Sequence, residues 1–467
     1  MNDLWRKPAT EIVALLKAGD VTPEELLDVL EQRVNQVDGV VNALPTVCWD
    51  RAREAAASAN RDSILAGLPV AIKDLTPVRG VRTTFGSPIF ADNVPEHSDY
   101  LVERLEENGG IVYAKSNTPE FGAGANTFNP VFGVTRNPWD TRLSVAGSSG
   151  GAAAALASGT AWLAHGSDLG GSLRTPAGFN AIVGLRPGTG LVPNGPGPLT
   201  YQGLGVEGPM GRTVADVALM LDAMAGFDPR DPRTMRGDAV SYVDSLTATA
   251  PATRIAWSPD LGVTVVDPEI IAICAEAVAG FSAVGATVEE ACPDFSSAFD
   301  CFQTLRAAMF AGKSAPLLAA HRDQLKPDVI WNIKKGLALT ADDIGKAERD
   351  RSALYHEVAS FMEGYDILAS PVMQARPYPV EKTYVDEIAG QKMASYIDWI
   401  AITFSITLTG LPALSLPCGF TNDGLPVGLQ LVGKPRGEAA LLAAAAQLEA
   451  LLGVADQTPI DPNIRHE

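Results

Sequence analysis

Two short runs of uninterrupted apolar residues, LPVAIK (68–73) and IVYAK (111–115), limit this chain to a small set of folds. Runs of this length bounded by glycine read as strands buried on both faces. Gly67 opens the first. A helical pattern over 101–108, stopped by Gly109-Gly110, leads into the second. Helix, glycine, buried strand is the rhythm of an α/β protein, whose sheet is covered by helices on both faces. Further strands are expected at Ala161–Ser167, Arg254–Trp257, Asp366–Ser370, Ala413–Pro417 and Gly428–Val432. Helices are expected at 152–157, 214–224, 267–283, 343–363 and 437–452. Two or three more fall within 8–60, where Thr10, Thr22 and Pro23 supply N-terminal signals. Residues 117–151 lack periodicity and read as one long loop. Between 291 and 345 helical and loop patterns compete.

Composition removes several function classes. With 46% hydrophobic and 19% charged residues in 467, the chain can bury a sizeable core. A formal net charge of −19, with no basic run, disfavours direct contact with nucleic acid or an anionic membrane. No apolar stretch reaches the length of a membrane span, and the N-terminus lacks a signal-peptide core. Five widely spaced cysteines without a C-x-x-C pair argue against a disulfide framework, so a cytoplasmic protein is expected. His97, His165, His321, His356 and His466 stand apart, with no metal-ligand spacing, and no phosphate loop is present. No metal and no cofactor are expected.

Three local features could carry chemistry. Lys73-Asp74 ends an apolar strand. Gly147-Ser148-Ser149-Gly150-Gly151 opens an Ala-rich helix. Gly166-Ser167-Asp168-Leu169-Gly170-Gly171-Ser172-Leu173-Arg174 follows another strand. Each alone is unremarkable: a strand-end lysine is ordinarily a solvated charge, and a Gly/Ser turn is ordinarily a turn. Gly147–Gly151 also fits G-x-S-x-G, the nucleophile elbow with Ser149 attacking, but that motif needs a strand running straight into the turn. The preceding NPWDTRLSVA reads as loop. His165, within an apolar strand, reads as a structural histidine with its hydrogen bonds satisfied.

Taken together, in this order and spacing, the features resemble the amidase signature family. The likeness runs from LPVAIKDL at 68 through GPMGRTVADV at 208, by way of TTFGS, KSNTPEFG, SSGG and SDLGGSLRTPA. It recurs at ILASP (367–371) and at TGLPALSLPCGF…GLPVGLQLVG (409–433). The resemblance implies one amidase domain over 1–467 with a central mixed β-sheet. Residues 1–65 would form a helical segment, 66–225 the catalytic core, and 226–467 the rest of the sheet and the pocket walls. It also implies a relay in which Ser172 attacks a carboxamide, Ser148 bridges after a cis peptide bond, and Lys73 accepts the proton. The flanking glycines leave room for that bond.

Elementary chemistry fits those roles. A serine hydroxyl needs a neighbouring base. Neither glycine turn holds a histidine, and a lysine serves once burial keeps its amine neutral. The backbone N–H groups of Leu169, Gly170, Gly171 and Ser172 could converge on the oxyanion. The resemblance implies that Asp168 and Arg174 brace the second turn, with Ser149 in support; the alternative for the Asp168–Arg174 pair is an exposed ion pair worth little. The implied substrate is a small amide, and a homodimer is the default assembly. The pocket walls are expected from 120–135, 300–340 and 370–405. Trp331, Tyr378, Tyr396, Trp399 and Phe404 there suggest an apolar or aromatic substrate, although core packing explains them equally well. The alternatives are the glutaminase subunit of the tRNA-dependent amidotransferase and an inactive binding protein of the same fold.

Overall fold

LPVAIK and IVYAK lie side by side in a computed structural model that describes residues 3–235 and 241–465. They pair in parallel, Val70 against Val112 and Lys73 against Ser116, and both are buried along their whole length. An eleven-stranded sheet is built around them. In chain order its strands are β1 (Thr46–Val47), β2 (Pro69–Lys73), β3 (Ile111–Ser116), β4 (Leu163–Asp168), β5 (Val183–Arg186) and β6 (Val206–Gly211), followed by β7 (Arg254–Trp257), β8 (Thr287–Glu290), β9 (Ile367–Pro371), β10 (Ala413–Phe420) and β11 (Pro426–Val432). Across the sheet they run β1-β3-β2-β4-β6-β5-β10-β11-β9-β7-β8. β2 is parallel to β3 and β4, and β7 to β8 and β9, while β6 and β10 run antiparallel to their neighbours. The sheet is therefore mixed.

Helices flank it. They are α1 (Ala9–Ala18), α2 (Pro23–Val41), α3 (Trp49–Ala56), α4 (Tyr100–Glu107), α5 (Gly150–Ser158), α6 (Arg174–Asn180) and α7 (Val214–Met224), then α8 (Tyr242–Ala248), α9 (Pro268–Ala279), α10 (Ala298–His321), α11 (Pro327–Leu337), α12 (Ala341–Phe361), α13 (Ala401–Thr409) and α14 (Glu438–Leu452). Thr22 caps α2 in a capping box with Glu25, as its sequence signal promised. Thr10 does not cap α1: Pro8 holds the cap position, and the Thr10 N–H instead donates to Asp216 on α7 at 3.0 Å. No helix among the described residues is long and apolar enough to cross a membrane.

Two expectations need correction. The stretch 117–151 is not a bare loop. Phe128–Asn129 pairs with Gly133–Val134, and Arg136–Asn137 with Asp140–Ser144, as two small hairpins outside the main sheet. Their backbones find partners locally, which replaces the missing hydrophobic alternation. The ambiguous 291–345 segment is mostly helical, as α10, α11 and the start of α12.

α5 is buried along its whole length, against β2, β3, β4 and β6. Its alanines and glycines permit that closeness. α6 is likewise buried and crosses β10 and β11. At that crossing a Cβ on Gly428 would lie 2.7 Å from the Cα of Gly178 and 2.7 Å from Val372 Cγ1. Backbone cannot give way there. Gly428→Ala is therefore expected to cost about 1–3 kcal/mol, the usual penalty of overpacking, read as a lower denaturant midpoint with unchanged slope.

Candidate active site

Lys73 ends β2 with its side chain fully buried. Its Nζ lies 2.8 Å from Ser148 Oγ, 2.9 Å from Ser149 Oγ and 3.1 Å from Ser167 Oγ, with the Ser167 carbonyl at 3.5 Å. Burial pushes the ammonium down to about 7, against the pull of Glu207 and Asp168 toward the charged form. Near neutrality the amine thus exchanges between an ammonium with three hydroxyl acceptors and a free base whose lone pair needs a donor. Ser149 cannot readily supply that donor, because its hydroxyl also bonds the Ser167 carbonyl at 3.3 Å. The Ser148 hydroxyl has no hydrogen-bond partner besides Lys73 among the described residues, which leaves its proton uncommitted.

The two glycine turns are locked together. The Gly147–Ser148 peptide is cis, and the next N–H, that of Ser149, donates to the Ser172 carbonyl at 3.2 Å. Gly171 sits at φ +126°, where a Cβ would also strike Thr403 Oγ1 at 2.2 Å, so only glycine serves. Asp168 braces the second turn. It accepts the Gly171 and Leu173 N–H groups at 2.9 and 3.1 Å, and binds Arg174 through both oxygens at 3.0 and 2.9 Å. Arg186 adds bonds to the Asp168 carbonyl (2.6 Å) and carboxylate (3.3 Å). Burial alone would raise this carboxyl, but the two guanidiniums hold it well below the usual range. The pair is buried on both sides, not exposed. Arg174 continues to Gln430 on β11 (2.6 Å) and to Thr403 and Thr407 on α13.

The Ser172 hydroxyl is half-buried, and its side chain has no hydrogen-bond partner among the described residues. With Ser148, Ser167 and Leu169 it lines a cavity of about 400 Å³, within the usual range for a small-molecule site. The N–H groups of Leu169, Gly170 and Ser172 likewise have no acceptor among the described residues. Gly171 departs from the sequence expectation, since its N–H is engaged by Asp168. The elbow alternative fares worse. A strand does precede the turn, at Asp140–Ser144, but it belongs to a hairpin outside the main sheet. Ser149 is fully buried, and no described histidine bonds it; His466 lies outside the described residues.

The cavity walls correct the sequence reading further. Phe85, Phe121, Met309 and Phe310 form apolar surface, and residues 194–207 close another side. Nothing from 370–405 lines it. Tyr378 and Trp399 pack edge-to-face in the core, Phe404 stacks on Phe302 at 4.3 Å, and Tyr396 is hydrogen-bonded by Arg306 and Asn332. Trp331 is exposed elsewhere on the surface. Ser167 and Glu207 were missed, and His165 was given no partner. Strand alternation puts His165 and Ser167 on one face of β4, a signal available in the motif itself.

A model of the amidase family matches residues 25–442. The chain belongs to the amidase family. It is 36% identical to an acylamidase of Rhodococcus erythropolis, over 97% of each chain. It is 35% identical to a glutamyl-tRNA(Gln) amidotransferase subunit of Moorella thermoacetica, over 96% of this chain and 97% of that one. Among solved structures it superposes on a 6-aminohexanoate cyclic dimer hydrolase with a TM-score of 0.91 at 26% identity, covering 98% of this chain and all of the other. A bacterial aryl acylamidase gives 0.89 at 26% identity, over 97% and 99%. This amidase is accordingly a hydrolase of C–N amide bonds.

Asp168→Asn removes the one charge that balances two buried guanidiniums. Breaking such a pair costs about 3–5 kcal/mol. Chemical denaturation is expected to show that loss, whereas an exposed pair would give about 1 kcal/mol or less.

Proposed function

We propose that this amidase works through a Ser–cisSer–Lys relay and an acyl-enzyme. The observation that carries the reading is the fully buried Lys73 amine, 2.8 Å from Ser148 Oγ and behind the cavity that Ser172 lines. Ser172 Oγ attacks the amide carbon while its proton passes to Ser148, and the Ser148 proton passes to the neutral amine of Lys73. The oxyanion meets the free N–H groups of Leu169, Gly170 and Ser172, with the Gly171 N–H holding the turn through Asp168. Collapse of the intermediate breaks the C–N bond as Ser148 protonates the departing nitrogen and is reprotonated by Lys73. Water then attacks the ester, losing its proton along the same path, and the carboxylate leaves with Ser172 restored. Every proton taken up is returned, so no co-reactant beyond water is required.

Phenylalanine and methionine side chains on the cavity wall favour an amide with an apolar or aryl part. Likeness to the acylamidase over nearly its whole length supports a stand-alone enzyme. The near-equal identity to the amidotransferase protein supports a second reading, in which the released ammonia passes to a partner.

Ser172→Ala is expected to lower turnover at least about 10³-fold, with an unchanged thermal midpoint. A fluorophosphonate should label Ser172 in the native protein, as read by peptide mass mapping. Label on Ser149 would contradict the assignment. Purified protein alone is expected to hydrolyse aryl and aliphatic amides faster than glutamine. Glutaminase activity that rises only with added partner subunits would favour the second reading.

A further inference from the structure

Beside Lys73 lies a histidine–carboxylate pair that the relay does not use, buried at the histidine and open to the cavity at the carboxylate. β4 and β6 are antiparallel, with Glu207 opposite Ser167 and Pro209 opposite His165. His165 is fully buried. Its Nδ1 faces the backbone N–H of Lys73 at 3.4 Å, and its Nε2 lies 2.8 Å from Glu207 Oε2. An N–H pointing at Nδ1 requires a lone pair there, so the ring proton sits on Nε2 and is donated to the Glu207 carboxylate. A proton on Nδ1 would set two N–H groups against each other. The other Glu207 oxygen lies 3.4 Å from Asn194 Nδ2, and the side chain lines the cavity with Ser172.

We propose that His165 and Glu207 are positioning residues for the base: the neutral imidazole fixes the end of β2, and the carboxylate it anchors supplies negative charge beside the Lys73 amine. This inference rests on Lys73 being the base. Few other charges compete. Asp168 on β4 also faces the amine but is neutralised by Arg174 and Arg186. Lys115 on β3 faces His165 and is paired with Asp74 at 3.8 Å. On the cavity side, Asp99 and Lys313 face Glu207. Burial pushes the His165 imidazole down, against Glu207, which agrees with the neutral ring. Glu207 is held below the usual carboxylate range: burial would raise it, and the His165 bond lowers it.

Glu207→Gln tests this with little change of shape, because the Gln oxygen can still accept the imidazole N–H. Lys73 must be neutral to take a proton, so kcat/KM falls as pH drops through about 7. Loss of the Glu207 charge makes the ammonium easier to deprotonate, which moves that acid limb to lower pH. A shift of about half to one pH unit is expected, so near pH 6 the variant keeps about three- to fivefold more of its own plateau rate than the wild type keeps of its own. The plateau itself falls, since the base is weaker. Glu207→Asp, which keeps the charge, is expected to leave the limb close to the wild-type position. An unmoved limb in Glu207→Gln, with only a lower thermal midpoint, would overturn the proposal and make the pair merely structural. Wild-type-like turnover in Lys73→Ala would instead remove the relay reading beneath it. Should Glu207→Gln fail to fold, ¹⁵N-histidine spectra of the wild-type protein decide. One ring held as the neutral Nε2–H tautomer between about pH 6 and 8 supports the proposal, and an imidazolium at His165 overturns it.

Discussion

A lysine amine that has lost its water is the constraint around which this molecule is arranged. An isolated ammonium cannot be buried without strong penalty. Lys73 is accommodated by three serine hydroxyls, two from the SSGG turn and one from β4, each within 3.1 Å of its nitrogen. Those hydroxyls can be there only if β2 and β4 run side by side and α5 starts directly above them, which is what the parallel pairing and the small residues of α5 provide. Burial then does two things. It brings the amine near neutrality at physiological pH, and it leaves the Ser148 hydroxyl, like that of Ser167, with a proton that no other described group accepts.

The second glycine turn solves a different problem, that of holding several N–H groups pointing outward without acceptors. Asp168 does so by taking up the Gly171 and Leu173 N–H groups and binding Arg174 on both oxygens. A buried carboxylate is tolerable only with such partners. Arg174 spreads the bracing to β11 and α13, over 200 residues further along the chain. The C-terminal third thus acts on the chemistry through rigidity, while the cavity wall comes from 75–85, 121–122, 194–207 and α10.

That division explains what could be read in the residues beforehand. Lys73, the SSGG turn and the GGS turn are local patterns, each unremarkable alone, and their roles were legible only through the resemblance of the set to the amidase signature family. Most strands of the sheet followed from short apolar runs. Glu207 and Gln430 were not legible, since their meaning depends on which strands are neighbours. Glu207 matters because β6 pairs with β4 in a register that sets it against Ser167. Strand order of that kind is a tertiary fact. The aromatics of 331–404 show the converse error, because large side chains signal a pocket or a core equally well, and here they mostly fill the core.

The charge state of one nitrogen decides whether this account holds. Lysine labelled with ¹³C at Cε, followed by NMR across a pH titration, reports that state directly, with Lys73→Ala identifying the resonance. The account requires a Lys73 signal titrating near 7. A resonance that stays in the ammonium form until about 10.4, the value of a solvated lysine, would contradict it.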